Sequence, residues 1–156
     1  MALRHLDRRA YGVAELTAVL VRKRANPEVV EAVLGRLAGV GLLDDQAYAD
    51  GLVEMKHEAR HMSRRAITLD LTRRGLSADV VAAATAGLDD ESDWAGARQV
   101  AARQARRLAG LDKATAWRRL TGALARKGYS PAVASGVAHE MLNNTPQEVS
   151  NDQMDW

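Results

Sequence analysis

The sequence contains no cysteine and no phenylalanine, and aromatic residues make up only 4% of its 156 residues. Without cysteine there can be no disulfide, thiolate metal site or cysteine nucleophile, and a reducing compartment is favoured. No apolar run approaches the roughly 20 residues that a membrane-spanning helix requires. The first residues also lack the apolar region of a signal peptide. We therefore expect a cytoplasmic protein whose cores are built from Leu, Val, Ala and a few Met.

One short pattern occurs three times, as Arg22-Lys23-Arg24-Ala25-Asn26-Pro27, Arg73-Arg74-Gly75-Leu76-Ser77-Ala78 and Arg126-Lys127-Gly128-Tyr129-Ser130-Pro131. In the last copy, two cations end a helix, where they face the negative end of its dipole. Gly128 suits the left-handed closing position, and Ser130 caps the next helix, with proline at its first position. Each copy predicts a joint between two helices. Arg24 departs from the pattern, because it stands where the other two copies have glycine.

The residues that flank the joints repeat as well, at offsets of 51 and 53 residues. The corresponding sets are Leu16, Ile67 and Leu120; Leu20, Leu71 and Leu124; Val29, Val80 and Val133; and Leu37, Leu88 and Met141. A period of this length without a strand signal predicts a small helical unit used three times in tandem. The predicted fold is all-α, with three-helix repeats over residues 1–41, 42–88 and 89–142 and a polar, poorly ordered tail over 143–156.

Three local patterns give more detailed expectations. Gly12 with Glu15 resembles a capping box that starts a helix ending near Lys23. The third helix of the first repeat should bury an apolar stripe of Val29, Val30, Val33, Leu34 and Leu37. A single long helix is expected to carry another stripe, formed by Tyr48, Leu52, Met55, Ala59 and Met62.

Charge alternates along the chain, although the net charge is only +2. The net charge, counted as the number of Lys and Arg residues minus the number of Asp and Glu residues, is +4 for residues 1–25, −5 for 26–55, +4 for 56–74, −5 for 75–97, +8 for 98–127 and −4 for 128–156. The basic blocks contain the first two helices of each repeat, and the acidic blocks contain the third helix and the following connector. Stacked repeats would therefore form one positive and one negative stripe.

The arginines are the candidate binding residues. Cations at the joints are explained in part by helix dipoles, but this does not explain the arginines at helix starts and in helix middles. Arginine outnumbers lysine by 18 to 4, which suits planar bidentate contact with phosphate or carboxylate, although a compositional bias of the source genome would produce the same excess. The predicted basic face, which contacts DNA phosphate or an acidic protein surface, consists of Arg64, Arg65, Arg73, Arg74, Arg118, Arg119, Arg126 and Lys127.

Catalytic patterns are weak. His57-Glu58-Ala59-Arg60-His61 matches the zinc-protease pattern H-E-x-x-H, but no third ligand stands at a recognised spacing, and nearby arginines would repel a cation. We therefore expect solvated helix surface there.

Trp94 and Trp117 lie on apolar stripes, so core packing is favoured over base stacking. No nucleophile elbow or Gly-rich phosphate loop occurs, and we expect neither a cofactor nor catalysis.

The chain resembles RecX-type regulators of the RecA recombinase over about residues 3–142. The resemblance rests on four segments in order: Glu15-Leu16 with Arg22-Lys23; Gly41-Leu42-Leu43-Asp44-Asp45 with Tyr48-Ala49; Leu71-Thr72-Arg73-Arg74-Gly75-Leu76-Ser77; and Leu124-Ala125-Arg126-Lys127-Gly128-Tyr129-Ser130.

This resemblance implies an elongated, curved array of three three-helix repeats. It also implies a protein, expected to be monomeric, that binds RecA and its filament on single-stranded DNA. Such a protein restrains filament growth, ATP hydrolysis and strand exchange, and with them recombinational repair and the SOS response. A standalone DNA-binding repeat protein without a recombinase partner is the alternative, and a scaffold that binds neither is a third option.

Overall fold

The computed structural model describes residues 1–143, and these residues contain helices and no strand. In the first repeat, α1 spans Ala2–Leu6, α2 spans Val13–Arg22 and α3 spans Pro27–Gly39. In the second, α4 spans Asp45–Glu54 and continues as a π-helical turn over Met55–Ala59, followed by α5 over Arg64–Arg73 and α6 over Ala78–Thr85. In the third, α7 spans Asp90–Leu108, α8 spans Lys113–Arg126 and α9 spans Pro131–Asn143.

Each repeat has a hydrophobic core of its own. The first is centred on Leu16, Leu20, Val30 and Leu34, the second on Ile67, Leu71 and Val81, and the third on Leu120, Leu124, Ala134 and Val137. The all-helical architecture of three tandem repeats is therefore confirmed.

The first core extends beyond position 41. Leu43 packs in the first core, one residue beyond the start predicted for the second repeat. The boundaries 1–41, 42–88 and 89–142 and the curvature of the array stay predictions, and the predicted tail lies outside the described residues from position 144 onward. No helix within residues 1–143 is long and apolar enough to cross a membrane.

The three joints share one backbone geometry. Arg24, Gly75 and Gly128 all have left-handed backbones, with φ of 59°, 81° and 89°. In each joint the residue that follows donates its amide to the carbonyl five positions back, from Ala25 to Leu20 at 3.2 Å, from Leu76 to Leu71 at 3.4 Å and from Tyr129 to Leu124 at 3.3 Å. This bond closes the helix as in a Schellman motif. Arg24 thus adopts the turn that glycine adopts elsewhere, at a conformational cost of about 1 kcal/mol.

The joints of the second and third repeats dock onto the preceding repeat. A Cβ built on Gly75 would lie 2.7 Å from the Cβ of Ala14, at the start of α2. One built on Gly128 would lie 2.5 Å from the Cβ of Ala66 and 2.6 Å from the Oγ of Ser63, at the start of α5. Glycine is needed at these two joints for space as well as for φ. In the first joint the corresponding residue, Arg24, is exposed, so a long side chain fits there.

An aspartate accompanies each docked joint. Asp45 Oδ1 accepts a hydrogen bond from the amide of Val13 at 2.8 Å, and Asp93 Oδ1 accepts one from the amide of Arg64 at 2.9 Å. These amides belong to the first residues of α2 and α5, which have no partner within their own helices. Each carboxylate therefore comes from the first helix of the next repeat and joins the two repeats.

A π-helical turn changes the face that the end of α4 buries. Met55 and Ala59 are exposed, whereas Lys56 is buried, because the wider turn rotates the following side chains around the axis. Lys56 Nζ pairs with Asp70 Oδ2 at 3.2 Å. The predicted single long helix and the burial of Met55 and Ala59 are therefore wrong, whereas Met62 packs against the second core from outside the helix.

Two further local predictions are also wrong. Val29 is 57% exposed, while its neighbour Val30 is buried. The buried residues at corresponding positions of the three repeats are therefore Val30, Val81 and Ala134. Glu15 forms no capping box, because its carboxylate faces Arg9 and Tyr48.

Helix α8 begins one turn earlier than its counterparts. The caps Gly12 and Ser63 lie four residues before Leu16 and Ile67, whereas the cap of α8, Asp112, lies eight residues before Leu120. The position equivalent to Ser63 is Ala116, which is buried inside the helix. The third repeat therefore has no exposed helix start at the place where the other two receive a joint.

We predict opposite effects of two substitutions at the joints. Gly128→Ala should lower the free energy of unfolding by about 2–3 kcal/mol, because it combines a left-handed alanine with the contacts at Ala66 and Ser63. Arg24→Gly should raise it by up to about 1 kcal/mol by removing the left-handed cost. Urea denaturation followed by circular dichroism measures both values.

The matched control is Gly51→Ala. Gly51 lies inside α4, and nothing lies within 4 Å of a Cβ built there. Stability should stay the same or rise in this variant. Equal losses in Gly51→Ala and Gly128→Ala would contradict the docking role of the third joint.

We also predict an acid-sensitive contact between the first two repeats. Hydrogen bonds from Arg9, and then from Tyr48, hold the pKa of Glu15 below its ordinary value of 4.5 despite partial burial. A depressed carboxylate pKa contributes stability above the unfolded-state value, and this contribution is lost as the pH falls through the folded-state value. The stability difference between wild type and Glu15→Gln should therefore shrink between about pH 6 and about pH 3. Thermal melts across this range measure it, and Glu28→Gln, at an exposed position, should show no such trend.

Candidate functional site

A concavity between α7 and α8 brings four arginines together. Its volume is about 410 Å³, and its rim consists of Arg107, Arg118, Arg119 and Arg126. Leu108, Leu120 and Ala123 contribute apolar surface, and Gln104 contributes the remaining polar side chain. No carboxylate lines this concavity among residues 1–143. We name it the arginine concavity.

The local sequence explains why these side chains face outward together. Leu120 and Leu124 are fully buried against α7 and α9, which leaves Arg118, Arg119 and Arg126 on the exposed side of α8. On α7, Leu108 is buried while its neighbour Arg107 is exposed. Within the described part of the chain, none of these guanidinium groups has an ion-pair partner. Their hydrogen-bonding capacity is therefore available to a ligand, and guanidinium groups suit phosphate or carboxylate.

Arg64 and Arg65 line a second groove, of about 860 Å³, on the second repeat. This groove also contains Leu69, Val81 and the carboxylates of Asp90 and Asp93. Its surroundings are mixed in charge, unlike those of the arginine concavity. The structure thus places these two predicted residues together, but apart from Arg118, Arg119 and Arg126.

Arg74 is held within the protein. Its Nε donates to Asp70 Oδ2 at 2.7 Å, and its Nη1 donates to the Tyr48 hydroxyl at 2.9 Å. That hydroxyl in turn donates to Glu15 Oε2 at 2.7 Å, across the boundary with the first repeat. The bond to Asp70, opposed by partial burial, raises the pKa of Arg74. Arg74 therefore joins repeats, and we remove it from the basic face.

Lys127 occupies the equivalent position in the third repeat and also connects its repeat to the preceding one. Its Nζ donates to the carbonyl of Arg60, and its own carbonyl accepts from the amide of Ser63. The Tyr129 hydroxyl donates to the carbonyl of His61 at 2.9 Å. Burial, and then the charge of Asp93, raises the pKa of Tyr129, so the phenol stays a donor. Lys127 is likewise removed from the basic face.

The first cation of each joint behaves differently. Arg22, Arg73 and Arg126 are the last residues of α2, α5 and α8, and all three are exposed. The second cation is half-buried in the joints of the second and third repeats. Arg73 and Arg126 thus hold equivalent positions at the ends of α5 and α8, although of the two only Arg126 lines the arginine concavity.

The H-E-x-x-H segment is a docking platform and not the solvated helix surface that we expected. His57 and His61 are half-buried, His61 has a left-handed φ of 47°, and its carbonyl receives Tyr129. Burial, followed by the charges of Arg103 and Lys127, lowers the pKa of His61. No cluster of three metal-binding side chains exists among residues 1–143, and the π-helical turn removes the regular helix on which that zinc motif depends.

Both tryptophans pack against the core of the third repeat, as predicted. Of the residues that form the arginine concavity, the predicted set lacked Arg107. The sequence could have indicated that Arg107 is exposed, because it stands beside the apolar Leu108 in a basic run of α7. What the sequence did not show is that α7 crosses α8 at this point.

Comparisons with known proteins give a consistent result. Family models described as the first, second and third three-helix domains of RecX match residues 1–37, 44–84 and 90–137. The regulatory protein RecX of Thermobifida fusca is 38% identical over 149 residues, which cover 96% of this chain and 80% of that protein. The regulatory protein RecX of Streptomyces coelicolor is 38% identical over 135 residues, covering 86% and 72%.

Solved structures agree on the fold. The crystal structure of RecX from Lactobacillus salivarius superposes with a TM-score of 0.73 at 18% identity, over 90% of this chain and 91% of that one. A second crystal structure of a regulatory protein RecX gives a TM-score of 0.75 at 22% identity, over 88% and 69%. Because all three domain models match in order and relatives share more than a third of their residues, this chain belongs to the RecX family of regulatory proteins.

Proposed function

We propose that this protein binds the RecA recombinase and its filament on single-stranded DNA, and restrains filament growth, ATP hydrolysis and strand exchange. In this proposal it limits recombinational repair and the SOS response. It acts in the cytoplasm, as a monomer, by binding alone and without a cofactor or a catalytic residue. The arginine concavity is the observation that carries the proposal, beside membership of a family of regulators.

The chemistry of the concavity supports an anionic ligand. Four guanidinium groups surround one depression, and each can form paired hydrogen bonds with a carboxylate or a phosphate. Arg107, Arg118 and Arg119 reach it from two helices that pack into one core, so their backbone positions are fixed before binding. Pre-organisation of this kind reduces the entropy that binding must offset.

The repeats support a polymeric partner. Arg73 and Arg126 are exposed at equivalent positions, the last residues of α5 and α8, so the protein offers a cation at successive positions along its length. A filament of identical subunits offers acidic or phosphate groups at regular intervals in the same way. Several weak contacts made together yield strong binding that depends on an intact filament.

The central experiment adds the protein to preformed recombinase filaments on single-stranded DNA and follows ATP hydrolysis and filament length. The proposal requires that hydrolysis slows and that filaments stop growing or shorten. Binding to naked DNA without any effect on filaments would favour the alternative, a standalone nucleic-acid-binding repeat protein.

We predict that Arg118→Ala, Arg119→Ala and Arg126→Ala combined will weaken filament inhibition by roughly tenfold or more, since each charged contact contributes about 1 kcal/mol. Helicity should be unchanged, because all three side chains are exposed. The concentration for half-maximal inhibition of ATP hydrolysis measures the effect. A matched control replaces the exposed first-repeat residues Arg4, Arg8 and Arg36 by alanine and should retain inhibition. Equal inhibition by both triple variants would contradict the assignment.

Salt dependence tests whether phosphate is contacted directly. On single strands, the logarithm of affinity falls against the logarithm of salt concentration with a slope of about −0.7 per neutralised phosphate. If each of the three arginines neutralises one phosphate, the triple variant should have a slope shallower by about 2. Fluorescence anisotropy with a labelled oligonucleotide, at a series of salt concentrations, measures this difference. An unchanged slope would indicate that the arginines contact protein carboxylates and not DNA.

A further inference from the structure

We propose that the groove between α5 and α6 binds a segment of a partner protein that combines large apolar side chains with a carboxylate. This inference goes beyond the proposed function, because it assigns a second surface, on the second repeat, to a contact of a different kind. The groove has a volume of about 860 Å³, and we call it the α5–α6 groove. Its apolar surface includes Leu69, Leu76 and Val81, and it is bordered by Arg64 and Arg65.

The lining of the groove favours an apolar occupant. Along the two helices it consists mainly of small or apolar side chains, namely Thr68, Leu69, Thr72, Ala78, Val81, Ala82 and Thr85. Leu69 is 46% exposed, so part of this apolar surface faces water. A partner that covers it with apolar side chains gains free energy by removing that surface from water.

The two arginines carry charge that the protein leaves uncompensated. They are the first two residues of α5, whose first turn has no acidic residue, and the positive end of the helix dipole disfavours cations there. Neither guanidinium has an ion-pair partner among residues 1–143. A carboxylate from a partner would therefore complement both the arginines and the helix start.

The two carboxylates that also line the groove already have partners. Asp93 accepts a hydrogen bond from the amide of Arg64 at 2.9 Å. Asp90 is the first residue of α7, where the helix dipole favours an anion. They therefore compensate the two guanidinium groups only in part.

Nucleic acid does not fit this lining. Proteins bind single strands with cations that follow the phosphate backbone and with aromatic side chains on which bases stack. Among the described residues that line the groove, none is aromatic, and Arg64 and Arg65 are the only cations. A protein segment, in contrast, supplies both the apolar side chains and the carboxylate.

The first repeat contains a related groove without the two arginines. It lies between α2 and α3 and has a volume of about 400 Å³. With an offset of 51 residues, its lining residues Val13, Thr17, Val21, Pro27, Val30, Glu31 and Leu34 correspond to Arg64, Thr68, Thr72, Ala78, Val81, Ala82 and Thr85 of the α5–α6 groove. Arg64 and Arg65 stand where the first repeat has Val13 and Ala14. Exchanging these two residues therefore removes the charge and keeps the apolar groove.

The occupant is tested by titrating the isotope-labelled, full-length protein with synthetic peptides and following its backbone amide signals. The probe is a short amphipathic peptide with leucines on one face and glutamates on the other. It should shift the signals of Thr68, Leu69 and Thr72, with an affinity about fivefold higher than that of the same peptide with lysines in place of glutamates. The groove of the first repeat, whose charged lining residue is Glu31, should show the opposite preference.

Two further probes separate this groove from the arginine concavity. A peptide that keeps the glutamates but has serines in place of the leucines should leave the signals of the α5–α6 groove unchanged. A single-stranded oligonucleotide should also leave them unchanged, and it should shift signals around Arg118 and Arg119 instead. Oligonucleotide shifts centred on the α5–α6 groove would overturn the assignment to a protein segment.

Two variants locate the contact on the protein. Arg64→Val combined with Arg65→Ala should abolish the preference for glutamate over lysine. Leu69→Glu should weaken binding of the acidic peptide by about fivefold or more. The matched control is Leu3→Glu, because Leu3 is 55% exposed on α1 and lines neither groove; this variant should bind like wild type.

Three results overturn the inference: shifts centred away from the α5–α6 groove, a preference for glutamate that survives the double variant, and equal binding by Leu69→Glu and Leu3→Glu. The titration contains no recombinase. It therefore decides the role of the groove even if the protein leaves recombinase filaments unaffected, a result that would contradict only the function proposed above.

Discussion

The close approach of a left-handed turn to the helix start of the preceding repeat is the contact on which the array depends. At Gly75 and Gly128 the backbone comes so near its neighbour that no Cβ fits. An aspartate from the next repeat then satisfies the amide at the same helix start, at Val13 and at Arg64. Three small cores are in this way connected by backbone and polar contacts.

This contact also separates the two cations of each joint. The second becomes part of the structure: Lys127 donates to the Arg60 carbonyl of the preceding repeat, and Arg74 binds Tyr48, whose hydroxyl donates to Glu15 of the preceding repeat. The first, Arg73 or Arg126, ends its helix on the exposed side. A pair of adjacent basic residues thus combines a structural cation with one that is free to bind, and net charge alone does not distinguish them.

Much of the fold was accessible from the sequence because it follows from local chemistry. Helix closure by Gly75 or Gly128 and capping by Ser63, Ser77 or Asp112 depend on a few adjacent residues. The offsets of 51 and 53 residues then imply a repeated unit. Arg24 shows that backbone geometry survives even where the residue type departs from the pattern.

What could not be predicted depends on contacts between elements. A sequence pattern read with 3.6 residues per turn cannot reveal a π-helical turn, so the burial of Lys56 was not predicted. Arg74 and Lys127 looked like surface cations because their partners, Tyr48 and the Arg60 carbonyl, belong to distant segments. For the candidate site, the exposure of Arg118 and Arg119 followed from the pattern of α8, but the crossing helix that adds Arg107 did not.

The additional turn at the start of α8 changes the surface that the third repeat presents at the place where the other repeats receive a joint. A fourth unit would need a free helix start to receive its joint, and Ala116 and the residues before it fill that place with continuous helix. At the first joint, Arg24 stands where the two docked joints have glycine. Among the described residues, the docking contact is made by Gly75 on the first repeat and by Gly128 on the second. The same left-handed turn is therefore a contact between repeats where it carries glycine and an ordinary helix end where it carries arginine.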